Sequence, residues 1–344
     1  MKKLAAFLST LLILFGIAVF FLYQEIDHFG IENTYSSSKP EILKIQLRKG
    51  DSATSLLSKL EQAEIFSELL LGKLWLKLHP EYNLVKKGYY EFPPGASVDD
   101  IFQAVSQGKV KQFSITLVEG LTLKQWLHTL QNTDAIIYDI TSADRLYDEI
   151  SSDHDGFCNN EYKSLEGCLL ANTYFFDYQT KASEIVKRAY RNMDNVIHEA
   201  WHERHLDTVY RSPYEMLIMA SIIEKETAVE SERGLISGVF DNRLKRNMRL
   251  QTDPTVIYGV GAAFDGNLTR KHLRERTPYN TYVIKGLPIT PIAMAGPASI
   301  EAAAKPEITE AIYFVAKGDG SHQFSETLAE HNAAVRQYQL KKGK

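Results

Sequence analysis

Residues 4–23, LAAFLSTLLILFGIAVFFLY, form an unbroken apolar run with no charged position. At 1.5 Å per helical residue, about twenty residues span one bilayer core, so the run predicts a transmembrane helix. Lys2 and Lys3 precede it, and Glu25, Asp27 and Glu32 follow. The positive-inside rule then leaves residues 1–3 as a cytoplasmic tip and exports the remaining chain. A cleaved signal peptide fits less well. Its apolar core is shorter, and residues 20–24, FFLYQ, offer no small-x-small cleavage site. Residues 24–41, with Ser36–Ser38 and Pro40, read as a tether.

The next stretch repeats one pattern three times: an extended segment, then Gly-x-Ser/Thr, then an amphipathic helix. IQLRKGDSATSLLSKL carries Gly50 and Ser52, YYEFPPGASVDDIFQAV carries Gly95 and Ser97, and ITLVEGLTLKQWLHTL carries Gly120 and Thr122. The glycine permits a tight turn, and the hydroxyl two residues later caps the helix. Leu43, Ile45 and Leu47 alternate as a strand, and Leu56, Leu57 and Leu60 share a helical face. A further helix over 67–78 stops at His79–Pro80. Residues 42–110, through LRKGDSATSLL, resemble a LysM module. The resemblance implies a βααβ unit that binds N-acetylglucosamine polymers; a structural unit without a ligand is the alternative.

Residues 111–344 predict a mixed α+β domain. Residues 139–171 are polar and irregular, 180–206 are helical and charged, and Ser212–Pro213 opens a mostly apolar helix. Residues 311–316, AIYFVA, read as a buried strand. The fold class is therefore α+β: one transmembrane helix, a small LysM-like βααβ module and then a mixed α+β domain.

Composition alters this picture little. The 344 residues are 44% hydrophobic and 24% charged, which excludes wholesale disorder and a polytopic membrane protein. Thirty-nine basic against 43 acidic residues give a net charge of −4 and no support for nucleic-acid binding. No GxGxxG or Walker loop is present, and no cofactor is expected. Export makes Cys158 and Cys168 either a small disulfide loop or two buried thiols.

The chemistry concentrates after residue 212. Glu224 sits within MLIMASIIEKET, beside Ala220, Ser221 and Thr227 on a face of small residues. A carboxyl group set against apolar surface suits a general acid. Glu226 lies about 200° further round the helix and cannot share that face. Gln251, Thr252, Asp253 and Tyr258 cluster around a proline turn, and Tyr279, Asn280, Thr281 and Tyr282 follow. Hydroxyls, amides and aromatic rings are the materials of a carbohydrate groove, and equally of loop caps.

ASIIEKETAVESERGLISGVFDNRLKRNMRLQTDPTVIYG and YNTYVIKGLPITPIAMAGPASIEAAAKP resemble the signature of the YceG-like (MltG) endolytic murein transglycosylases. YFVAKGDGSHQFSETLAEHN is similar to that family's closing segment. The resemblance implies Glu224 as catalytic residue, with Glu226, Gln251, Thr252, Asp253, Asn280, Thr281 and Tyr282 on the substrate side and no metal; Tyr258 joins the substrate side on the groove reading above. It implies non-hydrolytic cleavage of the β-1,4 bond between N-acetylmuramic acid and N-acetylglucosamine in nascent strands, leaving 1,6-anhydro ends. It further implies termination of strand elongation, cell-wall synthases as partners and a location at the cytoplasmic (inner) membrane. EGCLLANTYFF departs from the family pattern, with Ala171 and Asn172 where Pro and Asp are expected. If Asp253 acts as a second carboxylate, hydrolysis becomes an option.

The sequence also admits two rival readings. His198-Glu199-Ala200-Trp201-His202 is a literal H-E-x-x-H, a zinc-protease motif when it lies on a buried helix face. Its surroundings are charged, which favours a chance match on an exposed helix. The second rival is a non-catalytic scaffold that binds peptidoglycan.

Overall fold

The computed structural model describes residues 2–35, 41–153, 156–158 and 160–340. Residues 36–40 of the expected tether lie outside this set. The chain divides into two compact units: residues 1–113 with 175–178, and residues 114–174 with 179–344.

The first unit opens with helix α1 (Lys2–Glu32), then strand β1 (Leu43–Leu47), α2 (Ala53–Gln62), α3 (Leu69–Leu78), β2 (Gly88–Phe92) and α4 (Val98–Gln107). Strands β1 and β2 pair antiparallel, with Leu43 opposite Phe92 and Leu47 opposite Gly88. The β–α–α–β order is therefore present. Leu56, Leu57 and Leu60 of α2 are fully buried, as their shared face requires.

Helix α1 does not stop where the apolar run ends. No helix breaker intervenes, and residues 24–32, expected as tether, continue the helix. Ile26 and Phe29 lie one turn apart and are buried in the first unit's core. The Phe29 ring meets Phe66 edge-on at 4.9 Å and Trp75 at 6.0 Å. Gly30 follows because a Cβ there would stand 2.5 Å from the Trp75 ring. Trp75 is 1% exposed. At ~25 cal/mol per Å², burying its ring is worth about 4–6 kcal/mol. The 27 residues Ala6–Glu32 are long and apolar enough to cross a membrane, which is compatible with single-pass anchoring.

The second unit begins within strand β3 (Phe113–Leu117). It contains α5 (Leu123–Gln131), β4 (Ile136–Ile137), α6 (Ala143–Asp153), β5 (Asn172–Phe176), β6 (Thr180–Lys181), α7 (Ala182–Glu203), α8 (Pro213–Glu226) and α9 (Arg233–Lys245). Then come α10 (Asp253–Val260), α11 (Arg270–Arg274), α12 (Pro297–Ala304), β7 (Tyr313–Ala316), β8 (His322–Ser325) and α13 (Leu328–Val335). The sheets are two-stranded: β3 with β5, β4 with β6 in parallel, and β7 with β8 antiparallel. This is α+β architecture. Residues 175–178, expected in the catalytic domain, return to the first unit because their rings pack there. Phe176 stacks on Phe113, and Tyr178 stacks on Tyr89 with centroids 4.3 Å apart.

The three Gly-x-Ser/Thr segments fold as their pattern predicts. Gly50, Gly95 and Gly120 take positive φ. Ser52, Ser97 and Thr122 cap α2, α4 and α5, the last two in full capping boxes.

Helix α8 organises the second unit. Ser212 caps it, accepting from the Glu215 N–H, and Pro213 takes the first turn. Every residue from Met216 to Ile223 is buried, the signature of a helix enclosed on all sides. It packs against α12, α7, α9 and α10. Cys158 and Cys168 are joined in a disulfide.

Candidate active site

Helix α8 delivers Glu224 at its carboxyl end, where the buried run gives way to polar positions. The side chain is half-buried. Its Oε2 accepts from the Gly296 N–H at 3.0 Å and from the Ser299 hydroxyl at 2.7 Å. Gly296 is the N-cap of α12, and Ser299 is fully buried in its first turn. The carboxyl group therefore sits at the amino end of α12, where a backbone and a side-chain donor fix its position. Among the described residues Oε1 has no hydrogen-bond partner. One oxygen is held and the other is free for a substrate.

The wall beside Glu224 is the turn that follows β3. The Gly120 N–H donates to the Met294 carbonyl and the Met294 N–H to the Leu121 carbonyl, each at 2.8 Å. Lys225 crosses from α8 to donate to the Gly120 carbonyl at 3.0 Å. These bonds bring Glu119, which the sequence reading passed over, alongside Gly296. A Cβ on Gly296 would collide with the Glu119 carboxylate and lie 3.5 Å from Oε2 of Glu224.

Glu166 is a second carboxyl group that sequence reasoning missed. It is 5% exposed, and burial pushes its pKa up to about 7. Bonds from the Leu123 N–H at 2.9 Å and the Tyr258 hydroxyl at 3.1 Å oppose the rise only in part. Tyr258, expected on the substrate side, thus binds Glu166, and its ring meets Tyr279 edge-on at 4.9 Å.

The remaining expected residues gather elsewhere. Glu226, Gln251, Thr252, Asp253 and Tyr282 line a cavity of about 560 Å³ together with Arg243, Tyr313 and His322; Glu224 is not among its lining. Glu226 accepts from the Thr252 hydroxyl. Burial raises its pKa; the Thr252 bond lowers it and Asp253 raises it further. Asp253 accepts from the Tyr282 hydroxyl at 2.6 Å. Asn280 and Thr281 are fully buried. Asn280 donates to the His272 and Glu275 carbonyls, and the Thr281 hydroxyl meets Thr255 and the Thr252 N–H. These two residues fix loops, and their polar atoms are used inside the protein.

The H-E-x-x-H segment lies on α7, whose inner face is Ile185, Val186, Ala189, Met193 and Ile197. His198 and His202 are on the exposed face, and His198 pairs with Asp194 at 3.4 Å. Among the described residues no three His, Cys, Asp or Glu side chains converge as metal ligands.

The second unit is thus a mixed α+β body organised on an enclosed helix, with the half-buried Glu224 carboxyl group near that helix's end. The YceG-like family model matches residues 45–337, and the chain belongs to this family. It is 32% identical over 320 residues to the endolytic murein transglycosylase of Bacillus subtilis (strain 168), covering 90% of this chain and 88% of that protein. It is 22% identical to the endolytic murein transglycosylase of Streptococcus pneumoniae (strain R6), spanning 62% of that longer protein. Among solved structures it is similar to a YceG-like protein of Listeria monocytogenes, with a TM-score of 0.57 and 30% identity over 86% of this chain and 99% of that one.

Proposed function

We propose that this protein is an endolytic murein transglycosylase, with Glu224 as its acid and base. The observation that carries the reading is the asymmetric carboxyl group: Oε2 is fixed by Gly296 and Ser299 and, among the described residues, Oε1 is unpartnered, within the stretch that the family model matches. Glu224 gives its proton to the glycosidic oxygen as the bond from the muramyl anomeric carbon breaks. As carboxylate it then takes the proton of the muramyl 6-hydroxyl, and that oxygen closes on the anomeric carbon. The product carries a 1,6-anhydro end, no water is consumed, and Glu224 regains its proton. Positioned acid–base catalysis of this kind contributes ~10²–10⁴-fold.

The substrate nucleophile removes the need for a dedicated second carboxylate on the far side of the ring. Asp253, the earlier candidate for that role, lies with Glu226 in the 560 Å³ cavity, where Tyr282 binds it. That cavity, with its tyrosines, threonine and carboxylates, suits further sugar units or peptide stems. In this reading residues 4–23 hold the protein in the cytoplasmic membrane with the amino end inside and the catalytic unit outside. The LysM-like unit holds nascent strands, and cutting them near the membrane ends their elongation beside the synthases.

The test is full-length protein in detergent, incubated with uncrosslinked glycan strands and read by mass spectrometry. Wild-type protein is expected to give anhydromuramyl ends, with or without chelator, and Glu224→Gln none. Reducing ends that depend on Glu224 would establish hydrolysis in its place. Loss of activity on chelation would overturn the reading.

A further inference from the structure

We propose that a cationic pocket in the first unit binds the carboxylates borne by muramyl residues, so that this unit takes a glycan strand by its acidic sugar. The choice of ligand rests on the transglycosylase reading, and the pocket uses no residue of the candidate active site.

Three segments build the pocket. Leu47 ends β1 opposite Gly88, the first residue of β2, so Arg48 and Lys49 leave the sheet beside the entering Lys87. The chain that leaves α4 is drawn to the same end, because the Lys111 N–H donates to the Tyr89 carbonyl at 2.7 Å. A Cβ on Gly88 would collide with the Val110 side chain, so β2 and this segment are in close contact. The cavity holds about 280 Å³, and its whole lining comes from the first unit. Ligand pockets begin near this size, which suits one sugar unit of a strand.

The charge of the lining is one-sided. Arg48, Lys49, Lys87 and Lys111 stand against a single carboxylate, Asp177. Lys111 is paired with Glu91 at 3.0 Å. Arg48, Lys49 and Lys87 are exposed, and among the described residues no acidic side chain pairs with them. Asp51, close to them in sequence, is already occupied. It accepts from the Arg48 N–H at 2.8 Å, the Ser55 hydroxyl at 3.0 Å and the Lys59 ammonium at 2.8 Å. Cations gathered without a counter-ion repel one another, and an anion in the pocket relieves that repulsion.

The rest of the lining suits a sugar. Tyr89 and Tyr178 stack with centroids 4.3 Å apart, and both are half-buried. Among the described residues neither hydroxyl has a hydrogen-bond partner. Aromatic rings offer a surface to the apolar face of a pyranose, and the hydroxyls serve its oxygens. N-acetylglucosamine is neutral and gains nothing from the cations. A muramyl residue brings a carboxylate: its own lactyl group when bare, or those of its peptide stem when that group is amidated. A lipid surface calls for exposed apolar side chains beside the cations. The aliphatic lining here, Leu47 and Val110, is not exposed.

The test is isothermal titration of full-length protein in detergent, in a Glu224→Gln background so that ligands stay whole. Three ligands of equal length are compared: chitin oligomers, bare glycan oligomers with free lactyl carboxylates, and glycan oligomers that carry peptide stems. At least one acidic ligand is expected to bind roughly tenfold tighter than chitin at low salt, with the preference shrinking as salt rises. The tighter of the two identifies the source of the carboxylate. Arg48→Glu combined with Lys87→Glu is expected to abolish the preference while leaving chitin binding and the melting temperature unchanged, an outcome that misfolding would not give. Lys87→Gln alone is expected to weaken acidic ligands about threefold.

Equal affinity for all three ligands, no measurable binding of any, or a preference that survives charge reversal would overturn the proposal. So would binding of dihexanoyl-phosphatidylglycerol, lost on charge reversal, with no strand bound. Binding is read without turnover, so these failures leave the anhydromuramyl assay untouched. Acidic strands bound as expected, with no anhydromuramyl ends formed by wild-type protein, would overturn the transglycosylase reading and leave the pocket in place.

Discussion

Replacing Glu166 with glutamine should change how the stability of the second unit depends on pH. Burial raises the Glu166 pKa from 4.5 to about 7. A carboxyl group raised in the folded state binds its proton more tightly there than in the unfolded chain. The stability this provides is fully present below pH 4.5 and is lost as pH rises through 7. At 1.36 kcal/mol per unit, the loss across the window is about 3 kcal/mol. For a unit of this size that corresponds to roughly 5–10 °C in melting temperature. Glutamine has nearly the same shape. Its carbonyl can accept from the Leu123 N–H, and its amide can donate to the Tyr258 oxygen. Glu166→Gln should therefore be close to wild type at pH 5 and gain most of that difference by pH 8. The assay is thermal unfolding of full-length protein in detergent between pH 5 and 8, scored as variant minus wild type so that other titrating groups cancel. A difference that stays flat across this range would refute the assignment of a buried, proton-holding Glu166.

Ser299→Ala removes the 2.7 Å bond to Glu224 from a fully buried site. Hydrogen bonds to charged groups are worth ~1.5–3 kcal/mol, so kcat on glycan strands should fall by tenfold or more with KM nearly constant. Gly30→Ala drives a methyl group into the Trp75 ring and should destabilise the first unit by about 1–3 kcal/mol, measurable by urea unfolding. Reducing Cys158–Cys168 opens a ten-residue loop and should cost the second unit about 2.5 kcal/mol, read as a lower melting temperature under reductant.

Much of the fold was legible because local rules set it. The capping residues Ser52, Ser97, Thr122 and Ser212 begin helices in the structure, and the uninterrupted apolar stretch before Glu224 is an enclosed helix. The misreadings share a cause: partners far away in sequence. Ile26 and Phe29 look like scattered apolar residues in a tether until α3 supplies Trp75. Phe176 and Tyr178 belong with Phe113 and Tyr89 through ring stacking that no spacing encodes. Glu119 sits beside an ordinary turn glycine, and only the fold brings Gly296 to it. Glu166 lies in an irregular polar stretch, where nothing local announces that its carboxyl group is buried. Likewise Asn280 and Thr281 are polar enough for a groove, but the loops they tie require their polar atoms.

The continuation of α1 past residue 23 sets a length scale. A random coil of eighteen residues has an end-to-end spread of roughly 20–25 Å and would let its cargo wander over that range. A helical stub from residue 24 to 32 rises about 13 Å and has almost no spread. Because Phe29 and Gly30 are wedged against Trp75, that stub is continuous with the first unit's core. With residues 4–23 in a bilayer, the arrangement is a post and not a leash. The first unit then stands at one height above the lipid and turns with the helix beneath it.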